Sequence, residues 1–223
     1  MRQIQRVRSK NELVYESLLS AIVQGELGPG ERVVIDELAN ALGVSQIPVR
    51  EALRQLEADG FVVIQPHVGA TVTLIHDGLI TEVFGLLESL EAISSQAACE
   101  RLSKDDLGAL EKHLLLMDAL VDDPDAWSQA NVEFHQLICD RAGTQLVRKM
   151  MDKALAHWDR LRSYYQLRDI FIQRLEQAHQ QHWEMFEAMR SGDCKLLAQI
   201  VHKHNQAALD EYTRHLEQTQ AVK

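Results

Sequence analysis

The chain has 223 residues, 46% of them hydrophobic and 25% charged, which suits a globular protein able to form one broad domain or two modest ones. No apolar run approaches the roughly 18 residues that span a bilayer, and no apolar segment follows the N-terminal charges to make a signal peptide, so the chain reads as cytoplasmic with no membrane partner. A net charge of −10 weighs against nucleic acid as a partner, but the distribution is uneven: Arg2, Arg6, Arg8 and Lys10 stand without an acid in residues 1–10, while residues 76–223 hold 16 bases against 24 acids.

From Asn11 to Gly25, Leu13, Leu18, Ala21 and Ile22 recur at helical spacing, and Gly25 is a natural stop. "LGPGERV" then places Pro29-Gly30 in the middle of a type II turn, where proline presets φ and glycine accepts the positive φ that follows. A second helix is expected over Asp36 to Leu42, with Leu38, Ala39 and Leu42 on one side. After a short turn Ser45 opens a third. Pro48 falls at its third position, where the missing N–H costs nothing, and the Ser45 cap is therefore expected to take Ile47 N–H instead. Val49, Ala52, Leu53 and Leu56 form the apolar face of this helix; Gln46, Arg50 and Arg54 form the opposite stripe.

After Gly60, "FVVIQPHVGATVTLI" carries two β-branched runs around Pro66 and Gly69, which predicts a two-stranded hairpin. Three helices followed by a hairpin is a winged helix-turn-helix order. A stripe with two guanidiniums near the start of the third helix is how a recognition helix meets a major groove. A solvated surface face would carry the same stripe, and the stripe alone does not separate the two readings.

The residues Gly25, Pro29-Gly30, Leu38-Ala39, "PVREAL" (48–53), "L..DG" (56–60) and Gly69 together resemble the DNA-binding domain of GntR-type bacterial regulators, over nearly all of residues 10–73. The resemblance implies DNA contacts by Arg50 and by Ser45, Gln46 and Ile47, and a wing tip, here His67 to Gly69, in the adjacent minor groove. Arg54 on the same stripe and Arg8 before the first helix join the candidate DNA-binding set. Two departures are specific to this chain: Ser-Gln-Ile-Pro replaces the usual Ser-Arg-Thr-Pro, and Val68 stands where a basic residue often precedes the wing glycine. Gln46 pairs with adenine N6/N7 and Ile47 meets a thymine methyl, so the operator is expected to be richer in A·T there. Arg2, Arg6 and Arg8 are placed to compensate for the two missing cations.

From Asp77 onward no segment reads as a strand. Ser103 to Asp106, Asp122-Asp123-Pro124, Gly143-Thr144 and Gly192-Asp193 punctuate about six helices, roughly 78–101, 104–121, 124–142, 144–167, 169–191 and 193–217. The expected fold is mainly α: a winged helix-turn-helix domain over 1–75, then an all-α bundle over 76–223 for effector binding and dimerisation. Cys99, Cys139 and Cys194 are odd in number and lack a Cys-x-x-Cys spacing, and read as buried free thiols.

His182 lies 11 residues before Asp193 and His204 lies 11 after it, on either side of the Gly192-Asp193 turn. Eleven residues are about three turns, which puts both imidazoles at one level, roughly 16 Å from the loop, on facing helices. "NVEFH" places Asn131 one turn before His135. Three His and one side-chain oxygen on three helices suit a divalent metal, zinc first and nickel, manganese or iron as alternatives, with coordination positions left open. Polar residues on partly buried helix faces are the plainer explanation of any one of them.

The spacing of His135, His182 and His204 also resembles the FCD effector domain of FadR-like GntR regulators, which implies a metal that helps hold a small carboxylate effector. Asn131 departs from the usual Asp, and Leu87 stands where an arginine often precedes "LE" (Leu90-Glu91). His179 is a neighbour or alternative ligand of the site. The whole reads as a homodimeric regulator, a repressor on a palindromic double-stranded operator, and not an enzyme. The alternatives are a metal-free sensor of an acyl or hydrophobic ligand, and a DNA-tethered metal-dependent hydrolase, against which stands the lack of an evident carboxylate base beside the triad.

Overall fold

The computed structural model describes residues 9–65 and 69–220. The chain divides into two compact units, Met1–His76 and Asp77–Lys223. It is mainly α.

The first unit runs α1 (Lys10–Gln24), β1 (Arg32–Val33), α2 (Ile35–Ala41), α3 (Gln46–Ala58), β2 (Val62–Gln65) and β3 (Gly69–Val72). A capping box between Ser9 and Glu12 starts α1, and Gly25 ends it in the left-handed region at φ 82°. Pro29-Gly30 forms the expected turn, with Glu31 N–H donating to Gly28 O at 3.0 Å and Gly30 at φ 82°. α1 buries Val14, Leu18 and Ile22 against α3, whose Val49, Ala52, Leu53 and Leu56 are all buried. Leu13, one of the residues at helical spacing, is 50% exposed, because the buried arc of α1 runs through Val14, Leu18 and Ile22. Leu42 is likewise at the surface, and α2 is anchored by Ala39.

The wing is broader than the sequence suggests. β1 joins the hairpin as an edge strand, giving the antiparallel order β1-β3-β2 with Val33 opposite Ala70 and Ile64 opposite Ala70. Two residues are too few to show a period of two, so β1 is invisible to pattern reading.

The second unit is a bundle of α4 (Leu79–Arg101), α5 (Lys104–Asp118), α6 (Pro124–Arg141), α7 (Gln145–Tyr164), α8 (Arg168–Ser191) and α9 (Cys194–Gln220). Its starts are those the punctuation marks: a Ser103/Asp106 capping box for α5, and Asp123 accepting from Ala126 N–H ahead of Pro124 for α6. α4 packs along α9, α7 and α6, and α8 lies between α9 and α5. Leu110, Leu114, Met117, Trp127, Phe134 and Phe186 form the fully buried centre. Gly192, at φ 72°, lets α8 turn sharply into α9, so the two run side by side as a hairpin.

The cysteine reading needs correction. Cys99 and Cys194 are joined in a disulfide, and Cys139 alone is a buried free thiol. The end of α4 meets the start of α9 across 95 residues of sequence, a contact no local pattern reveals. Closing a loop of that size removes about 4 to 5 kcal/mol of unfolded-chain freedom, so reduction should lower the unfolding midpoint. Maleimide labelling in denaturant is expected to find one thiol per chain before reduction and three after; three before reduction would refute the bond.

Candidate DNA-reading face and metal centre

On the first unit, Ser45, Gln46, Ile47, Arg50 and Arg54 are all exposed along α3. The opposite face is buried, and this stripe carries both arginines of α3. Ile47 is 68% exposed although apolar, at the first turn of the helix. Ser45 sits at the N-cap but makes no side-chain cap bond, so the expected link to Ile47 N–H does not form. Proline occupies the position whose N–H a capping serine usually takes, and Ser45 itself is exposed. Gln46 is not free either: Arg50 Nη2 donates to its Oε1 at 3.2 Å, and its Nε2 donates to Asp36 of α2.

Beside the stripe a cleft of about 480 Å³ is walled by Arg50 and Arg54 of α3, Arg32 of β1, and Gly69 where β3 begins. Gly69 has φ 112°, a conformation that favours glycine, and a Cβ there would come within 3.7 Å of the Arg32 guanidinium. Arg32 is the cation that sequence reading missed, since it lies on the strand that reading missed. Arg8 and His67, like Arg2 and Arg6, lie outside the described residues.

In the bundle, α6 supplies Asn131 and His135, α8 supplies His182 and α9 supplies His204. One ligand nitrogen from each histidine lies within 4.8 Å of the others, and the ring centres are 4.9 to 5.8 Å apart. The equal spacing about Gly192-Asp193 does bring His182 and His204 to one level. His182 is fully buried, stacked on Trp127 with ring centres 5.9 Å apart, and neither of its nitrogens has a hydrogen-bond partner. Asn131 Oδ1 is buried and equally unpartnered. Burial and the neighbouring imidazoles hold His182 and His204 well below the ordinary histidine pKa, so both are neutral at pH 7 and no proton need leave before they can ligate.

Two partners orient the other rings. His135 Nδ1 lies 3.3 Å from Glu91 Oε1, and Glu91 Oε2 accepts from Asn205 Nδ2 at 2.7 Å. His204 Nδ1 lies 2.9 Å from Gln181 Oε1. Each acceptor is an oxygen, so each Nδ1 is placed to donate to it and each Nε2 to keep its lone pair for the shared centre. The missing carboxylate beside the triad is therefore present after all, as Glu91, but it is committed to His135 and Asn205. His179 is not a member of the cluster: its Nε2 bonds Asp118 at 2.5 Å. Unpartnered donors converging on one point, two of them with oriented rings, fit a divalent metal.

A cavity of about 90 Å³ adjoins the cluster, with Asn131, His135 and His204 on its wall. The rest of the wall is mostly apolar, including Phe84, Leu87, Trp158 and Phe171, and also holds Arg174 and Glu91. Leu87 is buried there, so α4 offers no cation at that position.

The FCD domain family matches residues 82–207, more than half the chain, and the bacterial regulatory proteins of the gntR family match residues 10–72. The chain belongs to the GntR family and carries an FCD domain. Among relatives of this GntR regulator, an HTH-type transcriptional regulator in an unstable DNA locus of Streptomyces ambofaciens is 28% identical over 211 residues, covering 93% of this chain and 86% of its own. The HTH-type transcriptional repressor RspR of Escherichia coli (strain K12) is 24% identical over 218 residues, covering 97% and 94%. Among solved structures, E. coli McbR/YncC superposes with a TM-score of 0.74 at 21% identity, over 94% of this chain and 100% of that one, which establishes a shared fold. The regulator is thus a transcriptional regulator rather than an enzyme, and the hydrolase alternative falls.

Proposed function

We propose that the protein is a homodimeric repressor of the FadR-like branch, whose hold on a palindromic operator is governed by a small carboxylate bound at a divalent metal in the bundle. The observation that carries this reading is the convergence of His135, His182 and His204 with unpartnered Asn131 Oδ1 beside them. A metal held there by those four residues, zinc first, would supply a Lewis-acidic point for an anion. The amide of Asn131 in place of a carboxylate leaves the site one charge more positive, which favours an anionic ligand further. Repression is supported by similarity to RspR, a repressor.

Ser45, Gln46, Ile47, Arg50 and Arg54 would read the major groove, with Arg32, Gly69 and His67 at the wing and Arg8 ahead of α1. An effector shifts this equilibrium only by binding the DNA-competent and incompetent arrangements unequally. The test is a gel-shift titration of the full chain on its own upstream DNA, with zinc or chelator and a panel of small carboxylates. A specific shift that one acid relieves only with metal supports the reading; no specific shift overturns it. Selection from random DNA should return A·T pairs opposite Gln46 and Ile47, and Gln46→Arg should move the preference at its position to G·C.

A second reading, a metal-free sensor of a hydrophobic ligand, is favoured by the apolar wall of the cavity. Metal content of the purified protein separates the two.

A further inference from the structure

Arg174 of α8 is an arginine with no structural employment. It is 7% exposed, it lines the bundle cavity, and its Nη1 is buried without a hydrogen-bond partner. Glu211, whose charge favours the protonated guanidinium, is itself tied to Arg214 at 2.8 Å. Burying a guanidinium unpaired costs several kcal/mol, which a fold tolerates when an anion completes the pair. Its charge is also felt at His182 and His204, so guanidinium and imidazoles face one region.

We infer that Arg174 is the carboxylate-reading residue of the effector site, and that the effector is a short monocarboxylate with an apolar body. The inference rests on the proposed effector site and adds to it the residue and the ligand class. The size follows from the cavity, which at about 90 Å³ is small and suits a short chain. The class follows from the wall: Arg174 is its one guanidinium and meets one carboxylate, while Phe84, Leu87, Leu155 and Phe171 surround an apolar body. A tricarboxylic acid would bring two further charges that no second Lys or Arg of the described wall meets.

Butanoate, pyruvate, citrate and 1-butanol are titrated into the full-length protein, with and without zinc, followed by tryptophan fluorescence and calorimetry. Trp127 and Trp158 both line the cavity and report directly. Butanoate or pyruvate should bind, 1-butanol and citrate should bind at least ten-fold more weakly, and Arg174→Gln should weaken the bound acid ten- to hundred-fold. Zinc stoichiometry of Arg174→Gln should match the wild type, since the variant leaves every proposed ligand in place. Arg174→Lys, which keeps a charge but loses the planar fork, should retain part of the affinity and covers the case in which the glutamine variant misfolds. Unchanged acid affinity in a folded variant, or no binding of either short acid by the wild type, overturns the inference. Loss of zinc by the wild type with acid binding still dependent on Arg174 would instead sink the metal reading and leave this one standing.

Discussion

Replacing Arg50 by alanine is expected to abolish discrimination between the operator and unrelated DNA while leaving the fold intact. Its neighbours Val49 and Leu53 are buried and carry the packing of α3, whereas Arg50 is exposed and takes no part in the core. Exposed substitutions of this kind stay within about 0.5 kcal/mol in stability. The loss to recognition is larger for two reasons. A bidentate base contact supplies about 1 to 3 kcal/mol of discrimination by itself. Arg50 also donates to Gln46 Oε1 at 3.2 Å, so its removal takes away one of the two bonds that place the side chain assigned to the neighbouring base, the other being to Asp36. Together the two effects amount to a hundred-fold or greater fall in operator affinity at fixed salt, with residual non-specific binding through Arg32 and Arg54. Fluorescence anisotropy on operator and scrambled duplexes reads both quantities, and circular dichroism checks the fold. Operator affinity within three-fold of wild type would remove Arg50 from the interface.

What the sequence made legible follows from how local the controlling interactions are. Helix starts at Ser103 and Asp123 are set by side chains that reach three residues ahead, so both were readable. The His182/His204 pair was readable for the same reason: one tight turn at Gly192 converts equal spacing in sequence into adjacency in space. The groups that complete the site were not, because Glu91 and Asn205 come from α4 and α9 and meet His135 only in the packed bundle. Arg174 was within reach, since it precedes His182 by eight residues, close enough to two turns to share its side of α8. The cap of α3 illustrates the opposite failure: the rule that allows for Pro48 moves the Ser45 bond to Ile47 N–H, and that bond does not form.

Replacing His182 is expected to remove metal binding altogether, and the choice of replacement separates ligation from packing. Wild-type protein with zinc at a hundred times its dissociation constant should gain about 2.7 kcal/mol of stability. For a unit of this size that is a rise of about 5 to 10 °C in the unfolding midpoint. His182→Leu should show no such rise, with zinc stoichiometry falling below a tenth. Without metal the same variant should be no less stable than wild type. Both His182 nitrogens are buried and unpartnered, each costing about 1 to 3 kcal/mol, and leucine carries no such atoms into the same apolar surroundings. The pH dependence gives an independent reading. Burial lowers the His182 pKa in the folded, metal-free protein, while in the unfolded chain it returns to about 6.5. Below that pH the unfolded state binds the extra proton, so stability falls as pH drops, by up to about 1.4 kcal/mol per pH unit for this one group. His182→Leu should flatten that slope by one proton. An unchanged slope, or a zinc-dependent rise surviving the substitution, would show that His182 is neither held neutral in the core nor a ligand.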